Sequence, residues 1–65
     1  MANAKIGRKI LRYRNKIGIT QDALAKRLKV TRSVVSAWET GKAAPRCDKL
    51  KPLAKVLQVG VTDLL

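Results

Sequence analysis

Apolar residues recur along this chain in threes and fours and never in sustained alternation. Ile6, Ile10, Tyr13 and Ile17 share one stripe of a helix that turns about 100° per residue. The stripe predicts a first helix with an N-cap at Asn3 and an end just before Gly18. Thr20 predicts the cap of a second helix, with Asp22 suited to its positive end and Leu24, Ala25 and Leu28 on its apolar face. That helix stops near Lys29. Thr31 caps a third, which Gly41 closes. About two residues then join the second and third helices, and so short a joint makes them cross steeply.

Beyond Gly41, "GKAAPRC" has the composition of a loop, and Pro45 cannot continue a helix. Leu50, Leu53, Ala54 and Leu57 mark a fourth helix. Pro52 is tolerable there only in a first turn, where its missing N–H has no partner anyway, so this helix is expected to start late or to bend. "VGVTDLL" offers one more turn, with Val61, Leu64 and Leu65 apolar. With no strand pattern, repeat or linker, residues 1–65 read as a single all-α, compact five-helix domain. A chain of 65 residues buries little, so close packing or a second copy must stabilise it.

Charge changes this picture. Fifteen Lys and Arg against four Asp and Glu give a formal +11, and the pI is about 10.8. A polyanion is the natural partner; a surface charged only for solubility would mix both signs. No apolar run approaches the roughly 18 residues of a membrane span, and "MANAKIGRK" lacks the apolar segment of a signal peptide. The expected location is the cytoplasm.

Catalytic chemistry has little to use. The chain has no histidine and no Gly-rich phosphate loop, and Asp22, Glu39, Asp48 and Asp63 lie scattered. The single Cys47 excludes an internal disulfide and sits beside Asp48 rather than a base, so a buried or idle thiol is the expectation over a nucleophile. No enzyme, metal, cofactor or small-molecule ligand is expected.

The third helix carries the sharper signal. On a helical wheel Val35 and Trp38 fall with Thr31, while Arg32, Ser33, Ser36 and Ala37 fall opposite and Val34 lies on the border. Small side chains with one arginine suit close approach to a groove; a merely solvated face more often carries Glu and Lys.

Residues 20–41, "TQDALAKRLKVTRSVVSAWETG", resemble the helix-turn-helix of the Cro/C1-type, lambda-repressor-like (XRE) DNA-binding domains. Thr-Gln opens helix 2, Leu-Ala lies within it, Val-Thr makes the turn, and Trp-Glu-x-Gly closes helix 3. The likeness extends to "RNKIGIT" before and "APRCDKLKPLAKVLQVGVTDLL" after, nearly the whole chain. It implies that helix 3 enters the major groove of double-stranded DNA while helix 2 crosses the backbone.

Carried over by position, the resemblance puts Arg32, Ser33 and Ala37 at base edges. Arginine suits guanine O6 and N7, and an alanine methyl suits thymine; a phosphate contact is the alternative for Arg32. Gln21 meets a phosphate and buttresses the base-contacting side chains, or itself reaches a base. Ser36, Lys42, Arg46 and Lys29 fall to the backbone or a groove. Free N–H groups after Gly41 are expected beside Lys42, and Arg46 suits a narrow minor groove or plain solvent. Arg14 and Glu39 match a structural salt bridge. Two positions depart from the family pattern: Lys29 stands where glycine is frequent, which implies φ > 0 and strain of roughly 1 kcal/mol, and Pro52 stands in helix 4.

The implied protein is a Cro-like repressor, of the kind found in phages, on a near-palindromic operator, as a homodimer at least on DNA. Val61, Leu64 and Leu65 are the candidate joint, unless they close the monomer core. The alternative is the DNA-binding domain of a larger repressor, an antitoxin or a restriction-modification controller protein. An RNA-binding or protein-docking module is disfavoured, because Tyr13 and Trp38 both lie on apolar faces.

Overall fold

A computed structural model describes residues 2–65, and their side chains from Lys5 onward. It contains α1 (Ala2–Ile17), α2 (Gln21–Leu28), α3 (Arg32–Thr40), α4 (Cys47–Leu57) and α5 (Val61–Leu64). The all-α, five-helix expectation holds. Ile10, Leu24, Leu28, Val35, Trp38, Leu53, Leu57 and Leu64 are buried together, so every helix contributes to one core. Ile6, Tyr13 and Ile17 lie half-buried against it, as the stripe on α1 predicts.

Local chemistry sets the starts of α2 and α3. The Thr20 hydroxyl accepts from the Ala23 N–H at 3.1 Å, and the Thr31 hydroxyl from the Val34 N–H at 3.3 Å, each satisfying a donor that the first helical turn leaves unpaired. The ends of the first four helices share one device. Gly18, Lys29, Gly41 and Gln58 are left-handed, with φ of 79°, 58°, 82° and 61°. The following N–H in each case reaches five residues back: Ile19 to Arg14, Val30 to Ala25, Lys42 to Ala37 and Val59 to Ala54. This returning bond is the Schellman arrangement, and it satisfies carbonyls the helix end would orphan. Lys29 thus adopts the positive φ its position implies, and Gln58 does the same without a sequence signal.

Three expectations change. α1 begins at Ala2, so Asn3 lies within the helix rather than capping it; its side chain is outside the described ones. α4 begins at Cys47 and runs through Pro52, so the late start expected of it does not occur. The N–H that Pro52 lacks would have gone to the Asp48 carbonyl, and both residues are exposed, so water can take that acceptor. Leu64 is fully buried, whereas Leu65 is 68% exposed; of the three terminal apolar residues, Leu64 closes the core, Val61 is half-buried and Leu65 alone stands out.

Two long-range contacts fix how the helices sit. A Cβ placed on Gly7 would lie 2.2 Å from the Trp38 carbonyl oxygen and 2.9 Å from that of Glu39. The backbone of α1 therefore lies directly on the C-terminal turn of α3, an approach only glycine permits. From α4, Lys49 Nζ donates to the Leu28 carbonyl at 3.0 Å and so neutralises the negative end of α2.

Candidate nucleic-acid interface

Val35 and Trp38 bury one side of α3, which forces the opposite side outward. There, Arg32, Ser33, Ser36, Ala37 and Thr40 of α3 line a shallow concavity of about 520 Å³ together with Gln21 and Lys42. The sequence-predicted Arg32, Ser33, Ala37, Gln21, Ser36 and Lys42 thus meet at one surface. No acid lines it. Arg46 and Lys29 lie outside it: Arg46 is the exposed, extended N-cap of α4 without a side-chain cap bond, and Lys29 is the exposed residue that ends α2. Thr40 joins the surface unannounced. Its hydroxyl donates back to the Ser36 carbonyl at 3.0 Å, a bond inside its own helix that leaves only its acceptor face and methyl for a ligand.

Behind the concavity runs a chain of polar contacts. Arg14 Nε donates to Glu39 Oε2 at 2.6 Å and Arg14 Nη2 to Glu39 Oε1 at 3.1 Å, a bidentate pair with side chains only 12% and 4% exposed. Arg14 Nη1 donates to the Ile19 carbonyl at 2.9 Å. Gln21 Nε2 donates to the same Glu39 carboxylate at 2.8 Å. Because a carboxylate only accepts, the Gln21 amide is held with its NH2 inward and its oxygen outward. That oxygen receives Arg32 Nε at a long 3.4 Å. The Arg32 guanidinium therefore keeps its two terminal nitrogens for whatever enters the concavity.

The N–H groups after Gly41 are not free. Those of Lys42 and Ala43 donate to the Ala37 carbonyl at 3.0 and 3.2 Å. The returning bond that closes α3 takes the donors a phosphate would have used, which leaves Lys42 its ammonium alone. Cys47 is an exposed free thiol rather than a buried one. Among the described residues no three His, Cys, Asp or Glu side chains gather as a metal site, and no helix is long and apolar enough to cross a membrane.

A pair of short helices, α2 and α3, closely joined through residues 29–31 and presenting a small-residue face on the second, defines a helix-turn-helix domain. Residues 10–64 match the family model described as "Helix-turn-helix", and the chain belongs to this Cro/C1-type family of transcriptional regulators. It is 41% identical over 63 residues to the HTH-type transcriptional regulator DicA of Escherichia coli (strain K12), covering 97% of this chain and 47% of DicA. It is 37% identical over 57 residues to the HTH-type transcriptional activator BcrR of Enterococcus faecalis, covering 88% of this chain and 28% of BcrR. The chain therefore spans less than half the length of either relative. Among solved structures, the P22 c2 repressor in complex with a synthetic operator superposes with a TM-score of 0.88 at 35% identity, over 92% of this chain and 91% of that one.

Proposed function

We propose that this chain is a sequence-specific, double-stranded DNA-binding transcriptional regulator that inserts α3 into the major groove of a near-palindromic operator. The concavity on the outer face of α3 carries the reading: it joins one arginine, one lysine and a glutamine to small side chains, and no acid lines it. In this reading Arg32, Ser33, Ala37 and Gln21 face base edges, while Ser36, Lys42, Arg46 and Lys29 serve the phosphates or a groove. Residues 1–65 act as one DNA-binding domain working in the cytoplasm.

Repression by occupying the operator follows from the likeness to the P22 c2 repressor. Service as the DNA-binding part of a longer regulator is the second reading, and it is favoured by the short share of DicA and BcrR that the chain spans. A homodimer on DNA supplies the symmetry. One domain offers three or four side chains to the bases, too few to choose a genomic site, whereas two copies about one helical turn apart multiply the discrimination. The exposed Leu65 beside the groove formed by Ile6, Pro45 and Leu50 offers a joint.

Selection of bound DNA from a random library, followed by footprinting, tests the proposal. A preferred site with two-fold symmetry, occupied by two chains, is expected. Binding that is indifferent to sequence overturns it, and tight specific binding of one chain to a half-site overturns the dimer.

A further inference from the structure

α1 contains Lys5, Arg8, Lys9, Arg12, Arg14 and Lys16 and no acid. Arg14 is committed to Glu39. At about 100° per residue the other five share an arc of roughly 100°; Lys5, Arg8, Arg12 and Lys16 are exposed and Lys9 is half-exposed. Gly7 and Arg14, the α1 residues that touch Trp38 and Glu39 of α3, lie roughly 180° round the same helix. The cationic stripe therefore points away from α3. On α3 the concavity lies opposite the buried Val35 and Trp38, and none of the five stripe residues lines it. The stripe is therefore a surface distinct from the concavity.

The stripe opposes the helix that carries it. Lys5–Arg8, Lys5–Lys9, Arg8–Arg12, Lys9–Arg12 and Arg12–Lys16 are like-charged neighbours at three- and four-residue spacing, each unfavourable to helix formation, and α1 has no acid in its first turn to complement the dipole. A solvated face gains nothing from this arrangement; a face that meets a polyanion does. Its five cations span roughly 16 Å, one per roughly 4 Å, close to the one phosphate per about 3.4 Å of axis that each strand of a duplex presents.

We propose that the outer stripe of α1 is a second, sequence-independent binding surface for the phosphate backbone of another DNA segment, so that the protein bridges two duplexes. The bridging rests on the DNA-reading assignment of α3; the affinity of the stripe for phosphate does not.

The test uses a donor-labelled duplex carrying the selected site, an acceptor-labelled duplex without it, and a variant with Arg8, Lys9, Arg12 and Lys16 all changed to Gln, its fold checked by circular dichroism; Lys5 is kept because it lines the groove offered as the dimer joint. Wild type is expected to give energy transfer that fades with salt. The variant keeps its affinity for the site within about threefold while losing the transfer, and the salt slope for the siteless duplex falls by up to about four units, at roughly 0.9 per phosphate released. Should the fourfold variant misfold, Arg8→Gln, Arg12→Gln and Lys16→Gln together give a smaller fall of the same sign. No transfer by wild type, or transfer undiminished in the variants, overturns the proposal. So does wild-type binding to vesicles of phosphatidylglycerol and phosphatidylcholine without DNA bridging, which would make the stripe a lipid surface. If no sequence preference exists but the variant still loses salt-sensitive binding to the siteless duplex, the assignment of α3 falls and the phosphate affinity of the stripe stands.

Discussion

Arg32 and Lys42 border the same concavity, but truncating them has different consequences. Arg32→Ala is expected to relax preference at one base pair per half-site at a cost of roughly 1 to 3 kcal/mol, because two hydrogen bonds to guanine go with the guanidinium. Lys42→Ala is expected to weaken all sequences alike and flatten the salt slope by about one unit; its neighbouring N–H groups, taken up by Ala37, offer no substitute. Affinities measured on the selected site and its single-base variants, across salt, separate the two. Equal loss on every sequence for Arg32→Ala would make it a phosphate contact.

The pair behind that surface separates stability from reading. Arg14→Met and Glu39→Gln each break the part-buried ion pair, and each is expected to destabilise by up to roughly 3 kcal/mol, less than a fully buried pair would cost. In thermal melts the double change costs less than the sum. Their effects on DNA differ. Arg14→Met leaves the Glu39 carboxylate to accept from Gln21, so the Gln21 oxygen still faces Arg32. Glu39→Gln removes the group that dictates the amide's direction, and preference at the Arg32 base pair weakens. Identical base preference in both variants would reduce the pair to a structural tie.

At the scale of the helices, the left-handed ends offer a paired test. Lys29 and Gln58 occupy the same conformation as Gly18 and Gly41 without the freedom glycine has, a strain of roughly 1 kcal/mol apiece. Lys29→Gly and Gln58→Gly are both expected to raise stability in urea melts, by up to about 1 kcal/mol. Only Lys29→Gly is expected to lower DNA affinity, since only that lysine ends the helix proposed to cross the backbone. Gly7→Ala runs the other way. Helix propensity favours alanine by roughly 1 kcal/mol, yet the new methyl meets the Trp38 backbone carbonyl, and overpacking costs about 1 to 3 kcal/mol; a net loss in the same melts is the expected result.

Such contacts mark what the sequence makes legible. Thr20, Thr31 and the glycines after α1 and α3 act within four or five residues, so their signals survive reading along the chain. The wheel of α3 is equally local, and it brings Arg32, Ser33, Ser36 and Ala37 to one face without knowledge of the fold. Gly7 on Trp38, Lys49 on Leu28 and Gln21 on Glu39 join residues far apart in sequence, and no pattern announces them. Pro52 misleads because the acceptor it orphans belongs to Asp48, an exposed residue, so water can offset part of the cost of an interior proline.

At the scale of the whole molecule, the bond from Lys49 to the last carbonyl of α2 means that the helix-turn-helix is not self-contained. Leu24, Leu28, Val35 and Trp38 turn inward toward α1 and α4, Gly7 of α1 backs α3, and α4 supplies the cation that finishes α2. A peptide of residues 20–41 alone has neither cover for those side chains nor that cation, and helices as short as α2 and α3 are marginal in water. Far-ultraviolet circular dichroism of the peptide is expected to be that of an unfolded chain. In the intact protein, the interior amide protons of α2 and α3 are expected to exchange with deuterium only through global opening, at one common free energy with those of α4. Faster exchange confined to α2 and α3 would reveal a motif able to loosen on its own. A common free energy means that the helix proposed to read DNA is only as rigid as the far side of the domain.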